Sequence, residues 1–240
     1  MTGAFSKGHK DAVCALCRCH IKENALFTSL TESQLHAFKS VVSIYPFKKR
    51  EVIFMEGSAC KGLYVVRTGR VKILRTSSNG KEQIIKILNP GDLLGFEVFY
   101  DGVSYENSAM AMEDAELCYI DRANFFRIIE KEPQIAKKLI IAMGKELSQA
   151  FDKIGYLGLL NAKEKLANLL YTLASEYGVK CDRGVRLNLK LSRLEVAELL
   201  GITQETSIRL LKGFKEDGLI EIKRKEIIIK SLERLKEIGQ

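Results

Sequence analysis

The sequence lacks any apolar run that approaches the roughly 18 residues of a membrane-spanning helix, and no N-terminal apolar stretch looks like a signal peptide. Long tracts of Ser, Gly or Pro are also absent, which argues against extended disorder. We therefore expect a folded cytoplasmic protein that does not enter a membrane. In that compartment its six cysteines are predicted to be reduced, metal-bound or redox-active rather than paired as structural disulfides.

The length and composition are sufficient for two domains with packed cores. The chain has 240 residues, of which 46% are hydrophobic, and a typical domain takes about 100–200 residues. Its 38 Lys and Arg residues outnumber 30 Asp and Glu residues, which gives a formal net charge of +8. This mild excess suits a polyanionic partner such as nucleic acid without establishing one.

The stretch from Leu191 to Lys230 begins with the pattern of a helix-turn-helix. Ser192-Arg-Leu-Glu195 is a capping box that begins a short apolar helix, and Gly201 can adopt the left-handed conformation that ends it. Thr203 then caps a second helix, which is predicted over Gln204–Asp217.

The second of these helices carries side chains suited to reading base pairs. Glu205 and Arg209 are four residues apart and share one face, where a carboxylate accepts from cytosine N4 and a guanidinium binds guanine O6 and N7. Two strand-like runs flank Arg224-Lys225, which predicts a hairpin wing with a basic tip that contacts phosphate. The alternative is a helical hairpin with an ordinary charged face. We favour a winged helix that reads the major groove through Thr203, Gln204, Glu205, Arg209 and Lys212.

The middle of the chain, from about Val52 to Ile120, has the pattern of antiparallel strands. Runs rich in β-branched and aromatic residues alternate with turn signals. Five glycines punctuate these runs every eleven or twelve residues: Gly57, Gly69, Gly80, Gly91 and Gly102. Turn signals at this spacing predict an antiparallel sandwich or barrel.

Asp121 to Asn161 is predicted to be helical, with Pro133 marking a helix start. Apolar side chains recur here in alternating steps of three and four residues, as in the seam of a helix that pairs with a copy of itself. The stripe could instead pack on the sandwich. Because it connects the sandwich to a DNA reader, we favour a dimer helix with the seam residues Ile140, Met143, Leu147, Ala150, Ile154 and Leu157.

The glycine-punctuated β-roll, the long dimer helix and the C-terminal winged helix-turn-helix together resemble the CRP/FNR family of bacterial transcription regulators. The resemblance covers roughly residues 26–230, and its most specific segments are Gly91–Phe96 and Gly201–Leu211. It implies an α+β fold with a cyclic-nucleotide-binding-like antiparallel β-roll at the N-terminus. The implied domains are a Cys-rich N-terminal segment (1–25), a β-roll sensor domain (26–130), a dimerisation helix (131–160) and a winged helix-turn-helix DNA-binding domain (161–240).

The resemblance also implies partners and a way of reading DNA. In this family the Glu and Arg of the second helix read a TGA-type half-site, and these roles carry over to Glu205 and Arg209. The implied partners are palindromic double-stranded DNA, RNA polymerase and a second copy of the chain. One departure concerns the usual order Glu-Thr-apolar-Ser-Arg, because Ser207 precedes Ile208 here and leaves the outer bases of the site open.

Family β-rolls often bind cyclic AMP in a pocket with a Glu and an Arg, and the Arg clamps the cyclic phosphate. Phe96 stands at the Glu position here, with Glu97 one place late, and Asn107 replaces the Arg. Because a neutral amide cannot replace a guanidinium on a phosphodiester, we do not expect cyclic AMP to bind. A small organic effector is an alternative, with Phe96, Phe99 and Tyr105 as candidate lining residues. For these three aromatic residues we favour core packing over that role.

The cysteines resemble those of the FNR branch, which holds an oxygen-labile [4Fe–4S] cluster on three N-terminal cysteines and one late in the β-roll. The matching residues are Cys14, Cys17, Cys19 and Cys118. The single residue between Cys17 and Cys19 makes a tighter run than is usual in the family, and His20 is a possible substitute ligand. The alternatives are a zinc site, a thiol switch, haem, or a disordered tail that binds nothing, and Cys118 could be only a small buried residue.

The dimer seam also departs from the FNR branch. That branch tends to carry an acidic seam residue whose repulsion opposes pairing until the cluster forms, whereas the matching position here is Ala150. Two facing alanines do not repel, so we expect this chain to dimerise without its cofactor.

Residues that would support catalysis are missing. A β-roll also resembles a cupin-like enzyme barrel, but the three histidines, His9, His20 and His36, all lie outside the predicted strands and supply no metal site. No nucleophile–base set and no Walker-type Gly-rich loop is present either, so we do not expect an enzyme.

Overall fold

A computed structural model describes residues 41–99, 104–224 and 226–239. The chain forms two compact units that adjoin in sequence between Glu146 and Leu147. The first unit is dominated by antiparallel strands, and the second contains several short helices and one sheet.

The N-terminal unit is a β-roll of two four-stranded sheets. Its strands are β1 (Ser43–Phe47), β2 (Val52–Phe54), β3 (Gly62–Thr68), β4 (Val71–Thr76), β5 (Glu82–Leu88), β6 (Leu93–Leu94), β7 (Ser108–Ala111) and β8 (Ala115–Asp121). The strand orders are β1-β8-β3-β6 and β2-β7-β4-β5, and all neighbouring strands are antiparallel. A short 3₁₀ helix, Phe96–Phe99, follows β6.

The turns of the roll explain the spacing of its glycines. Gly57, Gly69, Gly80 and Gly91 all have positive φ, a conformation that other residues reach only at a steric cost from their Cβ. At Gly69 an added Cβ would also lie 2.8 Å from the Cα of Ala115, so the turn between β3 and β4 leaves no room for a side chain. The fifth glycine of the pattern, Gly102, lies outside the described residues.

Two apolar clusters fill the roll. In one of them the rings of Phe54 and Tyr105 stack with their centroids 3.8 Å apart. The hydroxyl of Tyr105 donates to the carbonyl of Gly62 over 3.1 Å, which satisfies the one polar group of this buried ring. The other cluster consists of Leu63, Val65, Val98, Cys118, Ile120, Phe125, Ile128, Ile135 and Leu139.

Two helices follow the roll, α1 (Arg122–Lys131) and α2 (Pro133–Leu159). The carboxylate of Asp121 caps α1 by accepting the N–H of Asn124 at 3.0 Å. Pro133 occupies the first position of α2, where its missing N–H costs nothing and its fixed φ suits the helix. The predicted helix start at Pro133 is therefore confirmed.

The C-terminal unit contains helices α3 to α6 and strands β9 to β12. In chain order these are α3 (Ala162–Tyr177), β9 (Gly178–Cys181), β10 (Gly184–Leu187), α4 (Arg193–Leu200), α5 (Gln204–Glu216), β11 (Ile220–Lys223), β12 (Glu226–Ile229) and α6 (Leu232–Ile238). The four strands form one sheet in the order β11-β12-β10-β9. The predicted wing, β11 and β12, is thus extended by the strand pair that precedes α4.

The burial of β12 explains this larger sheet. Ile227, Ile228 and Ile229 are consecutive and all at most 3% exposed, so both faces of the strand are covered. A strand with two buried faces has to satisfy its backbone on both edges, and β12 does so by pairing with β10 as well as β11.

The predicted α+β fold, with an antiparallel β-roll, a long helix and a C-terminal winged helix-turn-helix, is confirmed. No helix within the described ranges is long and apolar enough to span a bilayer.

The conformation of Gly201 leads to a stability prediction. Gly201 ends α4 with φ 67° and ψ 33°, so Gly201→Ala places a Cβ in the left-handed region and should destabilise the C-terminal unit by ~1–2 kcal/mol. Gly213 lies inside α5, where an added Cβ meets no atom within 4 Å, so Gly213→Ala should stabilise by ~0.5–1 kcal/mol. Native-state hydrogen exchange of the α4 and α5 amides measures the stability change caused by each substitution. If both substitutions changed stability in the same direction, the different roles given to Gly201 and Gly213 would be contradicted.

Candidate nucleic-acid interface and sensor site

Local hydrogen bonds define the two helices of the helix-turn-helix. The side chain of Glu195 accepts from the N–H of Ser192 at 2.7 Å, and the Ser192 hydroxyl accepts from the N–H of Glu195 at 3.1 Å. Left-handed Gly201 ends α4, and its N–H donates to the carbonyl of Ala197. The hydroxyl oxygen of Thr203 accepts a backbone N–H from the first turn of α5 at 3.3 Å. Both helix starts lie where the sequence predicted them.

One face of α5 is held against the rest of the C-terminal unit. Ser207 is fully buried, and its hydroxyl donates to the carbonyl of Arg193 in α4 over 3.2 Å. Leu211 and Phe214 continue the same face and are each 1% exposed. Because these three residues follow helical spacing, they fix which side of α5 points outward.

The outward face carries the predicted DNA contacts. Thr203 caps this end of the helix, and the other four residues recur along the exposed stripe of α5. All five candidates are exposed: Thr203, Gln204, Glu205, Arg209 and Lys212. The structure therefore brings them together on one accessible surface, as reading a major groove requires.

Glu205 at the start of this surface is held in its charged form. Its own backbone N–H and the Thr203 side chain donate to the carboxylate, and these bonds lower the pKa of Glu205. The group therefore remains a hydrogen-bond acceptor below the ordinary pKa of a glutamate. At the other end of the stripe, the ammonium of Lys212 lies 3.7 Å from Glu216, an exposed contact that leaves the lysine accessible.

The wing has a basic turn whose charge is partly compensated. Arg224 occupies the turn with a positive φ of 55°, which is uncommon for a residue with a side chain. Lys223 lies 3.4 Å from Glu221, which is also 2.6 Å from Arg183. Arg224 is exposed, and Lys225 lies outside the described residues.

The predicted seam of α2 is exposed in the single chain. Ile140 is 70% exposed, Leu147 56% and Ile154 65%, and Met143, Ala150 and Leu157 are also exposed. Phe151, which the seam pattern did not include, is 63% exposed and lies one turn after Leu147. Large apolar side chains at this spacing form a surface suited to a second helix.

Of the four cysteines predicted to hold the iron–sulfur cluster, the structure describes Cys118. It lies in β8 and is 1% exposed, in the apolar cluster that also receives Val41 and Val42. Cys14, Cys17 and Cys19 lie outside the described residues. Within the described part of the chain, no group of three or more His, Cys, Asp or Glu residues is arranged to hold a metal ion.

The roll contains a cavity of about 280 Å³. Its polar lining includes Asn107 and the carboxylates of Glu97, Glu106 and Glu146. Lys86, the lysine of this lining, is bound by both oxygens of Glu146, one of them at 2.6 Å. The carboxylates give the cavity an acidic wall, which is the wrong charge for a phosphodiester.

The three aromatic residues named as candidates for the lining of an effector pocket divide into two groups. Phe96 lines it, whereas Tyr105 is 5% exposed and stacks on Phe54, and the ring of Phe99 packs edge-on against Phe125. Core packing, the role that the sequence favoured for these aromatic residues, is therefore confirmed for Tyr105 and Phe99.

Two family models match this chain. A cyclic nucleotide-binding domain matches residues 45–132, which is most of the β-roll, and a Crp-like helix-turn-helix domain matches residues 164–238. The matched ranges together include most of the roll and the whole of the α4–α5 surface.

Two bacterial regulatory proteins are similar to this chain in sequence, and a solved structure is similar to it in fold. The anaerobic regulatory protein of Haemophilus influenzae is 29% identical over 92% of this chain and 86% of its own length. The fumarate and nitrate reduction regulatory protein of Escherichia coli is 28% identical over 92% of this chain and 88% of its own. Among solved structures, FixK2 from Bradyrhizobium japonicum is 26% identical, with a TM-score of 0.73 over 83% of this chain and 98% of that one.

Proposed function

Because the chain belongs to the CRP/FNR family of bacterial transcription regulators, we propose that it binds a palindromic DNA site as a homodimer through the exposed face of α5. The observation that carries this proposal is the division of α5 into a buried face at Ser207, Leu211 and Phe214 and an exposed polar stripe. Members of this family are transcription regulators rather than enzymes, in agreement with the sequence-based expectation.

Two residues of the stripe have the chemistry to distinguish base pairs. The ionised carboxylate of Glu205 accepts from cytosine N4, and the guanidinium of Arg209 donates to guanine O6 and N7 as a fork. Thr203, Gln204 and Lys212 surround this pair, where hydroxyl, amide and ammonium groups can bond phosphates or neighbouring bases. The basic turn at Arg224 supplies a further phosphate contact beside the groove.

Pairing of two chains along α2 gives the two α5 surfaces that a palindrome requires. Regulators of this family act as dimers, and half-sites about 34–36 Å apart match one turn of DNA. We propose that the seam residues Ile140, Met143, Leu147, Ala150, Ile154 and Leu157, together with Phe151, form this contact. The site of action is the cytoplasm, with RNA polymerase as the partner on the bound promoter.

For the signal, we propose a [4Fe–4S] cluster held by Cys14, Cys17, Cys19 and Cys118. Similarity to anaerobic regulators supports it, as does the preference of iron–sulfur clusters for four thiolates. Such a cluster would supply an oxygen-labile centre. Cys118 suits this role because its apolar surroundings exclude water. Val41 and Val42, the first residues that the structure describes, pack against the same cluster of side chains.

The chain between the N-terminal cysteines and the roll is long enough for this arrangement. An extended chain covers about 3.3 Å per residue, so the segment from Cys19 to Val41 can span up to about 70 Å. The single residue between Cys17 and Cys19 makes it harder for both cysteines to bind one cluster. His20 could replace one of them as a ligand. The cavity beside Phe96 is where a small organic effector would bind if the cysteines hold zinc or act as a thiol switch instead.

Replacing Arg209 tests the reading of DNA. Arg209→Ala should weaken binding to the preferred site by ~1–3 kcal/mol and relax the preference at one base pair of each half-site. Arg209→Lys is the matched control, because it keeps the charge but loses the guanidinium fork. It should restore the salt dependence of binding without restoring specificity. Titration against all single-base variants of the site measures this, and an equal loss for every sequence would rule out base reading by Arg209.

Protein purified without air tests the cluster. We expect a broad visible absorption band that bleaches in air, with about four irons and four acid-labile sulfides per chain. Cys118→Ala should lose the band and the iron, whereas Cys181→Ala, at an exposed position of β9, should keep both. A colourless, iron-free protein that still binds a palindrome tightly would eliminate the cluster and retain the regulator.

Because the proposed seam carries Ala150 in place of an acidic residue, we expect a dimer whether or not the protein has been exposed to air. Size-exclusion chromatography should give a dimer for the anaerobic and the air-exposed protein, and a monomer in air would contradict this. Ala150→Asp places two carboxylates on the proposed seam and should shift the equilibrium towards monomer. Gln149→Asp adds the same charge on the opposite side of α2 and should leave the dimer intact.

A further inference from the structure

One apolar side chain interrupts the polar stripe of α5. Ile208 is 47% exposed and follows Glu205 by three residues, which places both on the same side of the helix. It precedes Arg209 directly and Lys212 by one helical turn, so charged groups lie beside it along the outward face. This aliphatic side chain is therefore only partly covered, and exposed polar residues lie beside it on the helix.

Neither packing nor helix stability explains Ile208. The buried position of this turn is taken by Ser207, whose hydroxyl is bound to the carbonyl of Arg193, so Ile208 is turned outward. A β-branched residue is also a weaker helix former than Leu, Lys or Gln. Single exposed aliphatic residues are common on protein surfaces, and Leu194 of α4 is 50% exposed. What distinguishes Ile208 is its place between Glu205 and Arg209.

We propose that Ile208 reads a thymine in the major groove through the C5-methyl group of that base. The inference rests on the proposed function, because it needs the α5 stripe to face base edges. Among the four bases of unmodified DNA, thymine alone presents a methyl group in the major groove, and aliphatic side chains make apolar contacts with it. Ile208 is thus a specificity-determining residue, and the thymine it reads adjoins the base pairs contacted by Glu205 and Arg209.

The apolar contact and the polar contacts of its neighbours support one another. Arg209 and Lys212 favour approach to the phosphates and base edges of DNA, which a purely apolar patch would not. Ile208 then excludes water from the space between the two polar readers, where hydrogen bonds gain strength as water leaves. The surface therefore suits the DNA groove better than an apolar protein partner, which would leave Glu205 and Arg209 buried without a counterpart.

Replacement of thymine by uracil isolates the methyl group, because base pairing is unchanged. A palindrome is first selected from a random library with the full-length protein, and each thymine of the half-site is then replaced in turn by uracil. At one position uracil should weaken binding about fourfold per half-site, the factor that corresponds to ~0.8 kcal/mol for one buried methyl group. Ile208→Ala should bind thymine and uracil equally at that position.

Two variants serve as controls. Ile208→Val retains a branched apolar group and should keep the thymine preference, and Leu194→Ala removes an exposed aliphatic residue from α4 and should keep it as well. If uracil has no effect at any position in the wild-type protein, or if Ile208→Ala discriminates as the wild type does, the inference is wrong. If selection yields no preferred sequence at all, the proposed DNA-binding function has failed instead.

Discussion

The rotation of α5 about its own axis decides which side chains can reach DNA, and that rotation is set by a small buried contact. Ser207 donates to the carbonyl of Arg193, and Leu211 and Phe214 insert into the core along the same face. A turn of the helix by about 100° that brought Lys212 into the place of Leu211 would bury a charged group, which is costly. The polar stripe is therefore determined by what the opposite face must bury.

The exchange of the hydroxyl and apolar positions in Ser207-Ile208 follows from the same constraint. A serine can occupy the buried position because a backbone carbonyl of α4 lies within hydrogen-bond reach, so its hydroxyl is satisfied. The apolar residue is then displaced to the outer face, where it has to contact solvent or DNA. The exchange of these two residues thus changes both the packing between α4 and α5 and the chemistry of the exposed face of α5.

Local sequence signals predicted the parts of the fold that depend on neighbouring residues. The capping box at Ser192, the left-handed Gly201 and the helix start at Pro133 all appear as expected, because caps and turns are formed within a few residues. The pairing of β10 with β12 was not predicted, because no local pattern encodes a contact between strands separated by two helices. For Tyr105 the sequence favoured core packing but did not identify the stacking partner, Phe54, which lies in the distant strand β2.

The distribution of charge along α2 bears on how a signal can act. Glu146, the acidic residue nearest the middle of the proposed seam, is bound by Lys86 of β5 and so is already neutralised within the N-terminal unit. Ala150 contributes no charge, and exposed Leu147, Phe151 and Ile154 favour association at any redox state. If α2 pairs regardless of the signal, repulsion across the seam cannot be the switch. The signal then has to change the geometry of a dimer that already exists, through the positions of its two α5 surfaces relative to the half-sites.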